Sequence, residues 1–118
     1  MREHPTEAQI QVALVTQLRW RWQALPAEQR PFIFAIPNGG RRDPREAAHM
    51  LAQGVTAGLP DLQIVQPGGS VIWVELKAHN GVLRQSQKDI HSKLNMLGHV
   101  VHVYYGLDEA IEGLTGFA

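Results

Sequence analysis

Ile10, Leu14 and Leu18 recur every four residues, with Val15 and Trp22 beside them and polar residues between. That spacing predicts a helix with one apolar face. Thr6-Glu7-Ala8-Gln9 has the spacing of a capping box and follows Pro5, so the helix opens there. It should run to about Leu25, where Pro26 stops it. Phe32 to Ile36 is a short apolar run of strand type, and Pro37-Asn38-Gly39-Gly40 reads as a loop. Asp43 and Pro44 form a second helix start, as N-cap and first helical residue. This helix should end near Gln53, with Gly54 behind it. Asp61–Val65 and Val71–Lys77 read as strands around a turn, Gln66-Pro67-Gly68-Gly69-Ser70. A third helix over about Arg84 to Leu97 closes at Gly98; a strand follows over His99–Tyr105, then a short helix over Leu107–Leu114. The order helix, strand, helix, strand, strand, helix, strand, helix predicts a mixed α/β sandwich around a small sheet.

The 118 residues amount to one domain, 1–118, with no repeat or linker. Hydrophobic residues make up 44% and charged residues 19%, a globular rather than a disordered composition. The absence of cysteine excludes a disulfide scaffold, a thiolate zinc site and a cysteine nucleophile, and fits a reducing compartment. Apolar runs fall far short of the ~20 residues of a membrane helix, and no signal peptide is visible.

Net charge is zero but uneven. Residues 1–50 carry seven Arg against five acids, and residues 51–118 carry four basic residues against six acids. Between Arg19 and Arg45, six Arg face two acids. This segment reads either as a solvated arginine-rich surface or as a local stripe for nucleic acid.

The informative positions break the binary pattern. Strand alternation puts Ile72, Val74 and Leu76 on one face, and Val71, Trp73, Glu75 and Lys77 on the other. An acid and a base thus share a strand face with large apolar residues, as a strand-end salt bridge or as a site. If the hairpin pairs Gln63 with Trp73, Asp61 lies opposite Glu75. Like charges so opposed are destabilising, which predicts a cation between them, a hard ion such as Mg²⁺ or Mn²⁺. The alternative for Asp61 is a turn acid after Gly58-Leu59-Pro60. Gln87 shares a helical face with Ile90, Leu94 and Leu97, read as the buried face of the third helix, and Glu7 shares one with Ile10 and Leu14. Each is either an ordinary helix-start residue or part of a convergence on one edge of the sheet.

These residues match a family pattern. Pro60-Asp61 followed by Glu75-Leu76-Lys77 spells the PD-(D/E)xK nuclease signature. Asn38-Gly39-Gly40-Arg41, Gly54 to Leu62, and Gly81-Val82-Leu83-Arg84-Gln85-Ser86-Gln87 accompany it in order, and Thr6-Glu7 opens the first helix. The chain resembles the VRR-NUC domain, the virus-type replication-repair nuclease, in its short stand-alone phage and bacterial form, over roughly residues 5–105. The resemblance implies a restriction-endonuclease-like core, with a mixed central sheet flanked by helices. It implies Mg²⁺- or Mn²⁺-dependent cleavage of DNA phosphodiesters, on branched DNA such as four-way junctions, by a homodimer in the cytoplasm of a bacterial host. Glu7, Asp61, Glu75, Lys77 and Gln87 would be its active-site set, and the Leu76 carbonyl would complete the metal shell.

The residue types suit hydrolysis. Asp61 and Glu75 would hold the metal, with Glu7 binding it directly or through water. Lys77 could position or help deprotonate the water, since lysine pKa values move readily in low dielectric, although adjacent acids oppose a downward shift. Gln87 could orient that water or contact DNA. Arg41, Arg42 and Arg45 follow a glycine pair before a helix N-terminus, which suits phosphate contact by the segment Asn38, Gly39, Gly40, Arg41, Arg42 and Arg45. Arg84 and Lys88 could add to it. Trp20 and Trp22 read as core or dimer contacts, or as stacking platforms for bases. With Phe32 and Phe34 they exceed what one small core needs, which predicts a C₂ dimer. His99 and His102, three apart on a strand, read as surface or packing residues. The rival readings are a non-catalytic DNA-binding or interaction module on the same fold, and a sequence-specific restriction-type endonuclease, for which the small chain offers little room.

Overall fold

The computed structural model describes residues 4–37 and 43–115. Helix α1 spans Glu7–Trp22, and a single 3₁₀ turn, Ala27–Gln29, leads to strand β1, Phe32–Ala35. Helix α2 is Pro44–Ala52, β2 is Leu62–Val65 and β3 is Val71–Lys77. Helix α3 is Gln85–Met96, β4 is Val100–Tyr105 and α4 is Leu107–Thr115. The strands lie in the order β1-β2-β3-β4. The first two pairings are antiparallel and β3 runs parallel to β4, with α3 as the crossover. This is the mixed, helix-flanked α/β sheet that the patterning predicts.

Local chemistry sets the helix starts. Thr6 Oγ1 accepts from the Gln9 N–H at 3.1 Å, and Gln9 Oε1 accepts from the Thr6 N–H at 2.9 Å. Asp43 Oδ1 accepts from the N–H groups of Arg45 and Glu46 at 2.9 and 3.0 Å. These bonds satisfy amides that a helix start leaves without partners. The expected helix from Thr6 to Leu25 ends three residues early, at Trp22. Pro26 disfavours helical backbone at the residue before it. Arg30 takes over the freed carbonyls: Nε donates to Leu25 O at 2.8 Å and Nη2 to Gln23 O at 3.2 Å. Arg19 Nη2 likewise donates to Ile33 O at 3.2 Å. Two arginines of the basic segment therefore hold backbone.

One sheet face is dry. Ile10, Leu14, Leu18 and Trp22 of α1 and Ala110 and Leu114 of α4 pack on Leu62, Ile64, Ile72, Val74 and Leu76, with Ile33 at the margin. Trp22 is thereby a core residue, which removes it from the expected dimer surface. Trp20 and Phe32 remain exposed, and the Phe32 ring lies 5.1 Å from that of Phe34. His99 and His102 are packing residues: His99 Nδ1 accepts from Trp73 Nε1 at 3.0 Å, and His102 stacks on Tyr104.

Helix α3 departs from expectation. Its buried residues are Gln87 and His91, while Ile90 and Leu94 are half-buried and Leu97 is exposed. The helix turns its polar side to the sheet face that carries Glu75 and Lys77, because those two groups offer it hydrogen bonds.

Candidate active site

The pairing of β2 with β3 matches Gln63 to Trp73 and Leu62 to Val74. One step further, Asp61 stands opposite Glu75. Asp61 itself lies just outside β2, where its side chain takes up the β3 amide. Its carbonyl accepts from the Ile36 N–H at 2.8 Å, and Oδ2 accepts from the Leu76 N–H at 2.8 Å. Both bonds fix the carboxyl beside the central strand.

Gly58 explains how Asp61 reaches this place. Its φ is +90°, and a Cβ built there would lie 2.3 Å from the carbonyl oxygen of Ser86 and 3.1 Å from the Gln87 nitrogen. Only glycine lets the 58–61 segment lie against the first turn of α3. The approach brings the loop bearing Asp61 and the helix bearing Gln87 together.

Four polar residues are buried here: Glu75 is 0% exposed, Lys77 and Gln87 4%, and His91 8%. They form one network. Lys77 Nζ donates to Gln87 Oε1 at 2.9 Å, and the same oxygen accepts from the Arg84 N–H at 2.8 Å. Gln87 Nε2 faces Glu75 Oε2 at 3.4 Å, and His91 Nε2 lies 3.2 Å from Glu75 Oε1. The two donors to its oxygen orient the Gln87 amide, leaving its nitrogen toward the acid.

Burial pushes the Glu75 carboxyl up to about 9. Hydrogen bonding to Asp61 and its charge add to this, Lys77 opposes it, and the charge of Glu7 adds a smaller push. Burial, followed by the Lys77 ammonium, holds His91 below the ordinary imidazole range, against the pull of Asp61. The site thus combines a carboxyl that resists ionisation with a neutral imidazole.

A pH dependence follows. Folded Glu75 keeps its proton to about pH 9, whereas the unfolded chain releases it near 4.5. The native state binds the extra proton between those values. Its stabilisation is complete below pH 4.5 and is lost as pH rises toward 9. Denaturant unfolding in EDTA is expected to show stability falling from pH 5.5 to pH 8.5, by at most about 1.4 kcal/mol per unit. Glu75→Gln should flatten the profile. Parallel profiles for the two proteins would exclude Glu75 as the group responsible.

Of the residues singled out in the sequence, Asp61, Glu75, Lys77 and Gln87 come together. Glu7 sits exposed in the first turn of α1, with no hydrogen bond to the cluster among the described residues. Arg84, the residue that precedes α3, and Lys88 in its first turn are exposed on either side of buried Gln87, and Arg45 is exposed at the start of α2. Asn38, Gly39, Gly40, Arg41 and Arg42 lie outside the described residues. His91 is the member that sequence reasoning missed. Its signal is its position four residues after Gln87, on the same side of one helix.

No family model matches the chain, and no curated protein matches it. A solved structure described as a VRR_NUC domain protein superposes on it with a TM-score of 0.72 at 23% identity. The match covers 98% of this chain and 89% of that one. The chain has a VRR-NUC-like fold.

Proposed function

We propose that this VRR-NUC-like chain is a metal-dependent DNA endonuclease that hydrolyses phosphodiester bonds, with branched DNA such as four-way junctions as its preferred substrate. The observation that carries the reading is the cluster of buried Glu75, Lys77 and Gln87 with half-buried Asp61 beside them. Burying charged groups and opposing two carboxyls is costly to a fold, whereas phosphodiester hydrolysis uses each group.

The donor set fits a hard divalent cation, Mg²⁺ or Mn²⁺. Asp61 and Glu75 supply carboxylate oxygens, and the charge that Glu75 resists taking on alone is the charge a cation would stabilise. Among the described residues, no group of three or more His, Asp or Glu could hold a metal. The set that would hold it is smaller: Asp61, Glu75 and the Leu76 carbonyl, with water filling the remaining positions; Glu7 would act through water. When bound, the ion supplies Lewis-acid stabilisation of the scissile phosphate.

The chain's own groups do the rest. Lys77, aimed by Gln87 Oε1 at 2.9 Å, positions the attacking water and, as an ammonium, stabilises the hydroxide as its proton leaves to solvent. Gln87 couples that ammonium to Glu75, so the two keep one geometry. Arg84 and Lys88 bind backbone phosphates beside the cluster, and Arg45 extends this contact. The segment 38–42 belongs to the same proposal. A four-way junction needs two symmetry-related nicks, so the active form is a C₂ homodimer with one site per subunit. Exposed Trp20 and Phe32 offer it apolar surface.

The test is a cleavage panel. Purified chain is incubated with four-way, forked and linear DNA, with Mg²⁺ and with EDTA, beside Glu75→Ala. Cleavage is expected only with Mg²⁺, is fastest on branched DNA, and falls at least about 100-fold in the variant. DNA binding without cleavage by the wild type in any metal would favour the non-catalytic module.

A further inference from the structure

Helix α3 presents two buried polar side chains to one carboxyl. Gln87 and His91 stand four residues apart, one turn of the same helix face. They divide Glu75 between them: His91 Nε2 at 3.2 Å from Oε1, and Gln87 Nε2 at 3.4 Å from Oε2. The imidazole makes the shorter contact. A neutral imidazole with its proton on Nε2 donates to a charged Glu75, so this contact survives ionisation of the acid.

We propose that His91 is a positioning residue for metal binding: by hydrogen-bonding Oε1 of Glu75, it fixes the carboxylate for a divalent cation. The proposal rests on the reading of Asp61 and Glu75 as cation ligands. It explains why α3 buries an imidazole where its Ile90 and Leu94 could have faced the sheet. An apolar residue at 91 would leave Glu75 Oε1 buried without a donor, and a carboxylate so placed favours its neutral form. His91 commits Oε1 to the helix. Oε2, on its longer contact, is the oxygen that costs least to redirect. Outer partners of ligating groups typically contribute 10–100-fold in metal affinity.

The test uses Mn²⁺ alone as probe, titrated into the folded full chain and read by the electron paramagnetic resonance of the free ion. Two variants carry the same amide at different reach. The amide of His91→Gln extends to about where Nε2 lies, whereas that of His91→Asn stops short. Both keep a polar group at the position, and melting curves monitor the fold. His91→Asn is expected to bind Mn²⁺ about 10–100-fold more weakly than wild type. His91→Gln is expected to stay within about threefold. A merely structural role would lower both melting temperatures without separating the two affinities. Equal Mn²⁺ affinity in wild type and His91→Asn, or equal loss in both variants, overturns the role of His91. A wild type that binds no Mn²⁺ overturns the cation site itself and this proposal with it.

Discussion

Lys77→Met is expected to lower phosphodiester cleavage about 10²–10³-fold, the usual range for a group that stabilises developing charge, while DNA binding changes little. Methionine keeps an unbranched side chain of similar length and removes only the ammonium. Lys77 is the last residue of β3, and its one hydrogen bond within the cluster is to Gln87 Oε1. That oxygen keeps a second donor, the Arg84 N–H, so the variant leaves no buried acceptor empty. Glu75 loses a neighbour that favours its charged form, so the variant should also require more Mg²⁺ for half-maximal binding. Single-turnover cleavage at saturating Mg²⁺ separates the two effects. A rate near that of wild type under those conditions would remove Lys77 from the chemistry.

Gly58→Ala should damage the fold and the site together. The new Cβ would meet the Ser86 carbonyl at 2.3 Å, with backbone atoms on the far side and no flexible tip to give way. Positive φ adds roughly 1–3 kcal/mol of strain for an L side chain. Gly54→Ala is the control, because Gly54 has φ +100° with nothing within 4 Å. The control should show the φ cost alone, a few degrees in melting temperature. Gly58→Ala should fall roughly 10 °C or more and lose cleavage in the fraction that stays folded. Equal melting losses in the two variants would mean that the close approach of the loop to α3 is unimportant.

Period and caps made most of the architecture legible. Strand β3 has the boundaries its alternation predicts, and the hairpin register that sets Asp61 against Glu75 is the one that keeps Leu62, Ile64, Ile72 and Val74 on the dry face. A one-residue slip would expose that face to water, but a two-residue slip would not, so the apolar pattern narrows the register and leaves the final choice to the turn. Helix α3 was less legible. Its apolar residues at 90, 94 and 97 suggest one inward face, but the opposing surface is polar, and a helix faces whatever it can bond. His91 was hidden for the same reason: its partner is distant in sequence, and only the crossover brings the two together. Trp22 looked surplus because period alone does not say how many side chains a small core holds.

The β2–β3 hairpin also has a bearing on the order of folding. The two strands are joined by the five residues Gln66–Ser70, so their contacts are local and close early. Docking of α3 closes loops of similar length, with Gln87 and His91 10 to 16 residues from their partners in β3, but its first turn also packs against the segment that carries Asp61, so it needs the hairpin already in place. Asp61 and Glu75 are therefore expected to meet while water still screens them, and to lose that water only when Gln87 and His91 arrive. The repulsion between the acids develops late, at the step that completes the site. A chain halted before that step would already hold its two acids in register, solvated and open to solution ions.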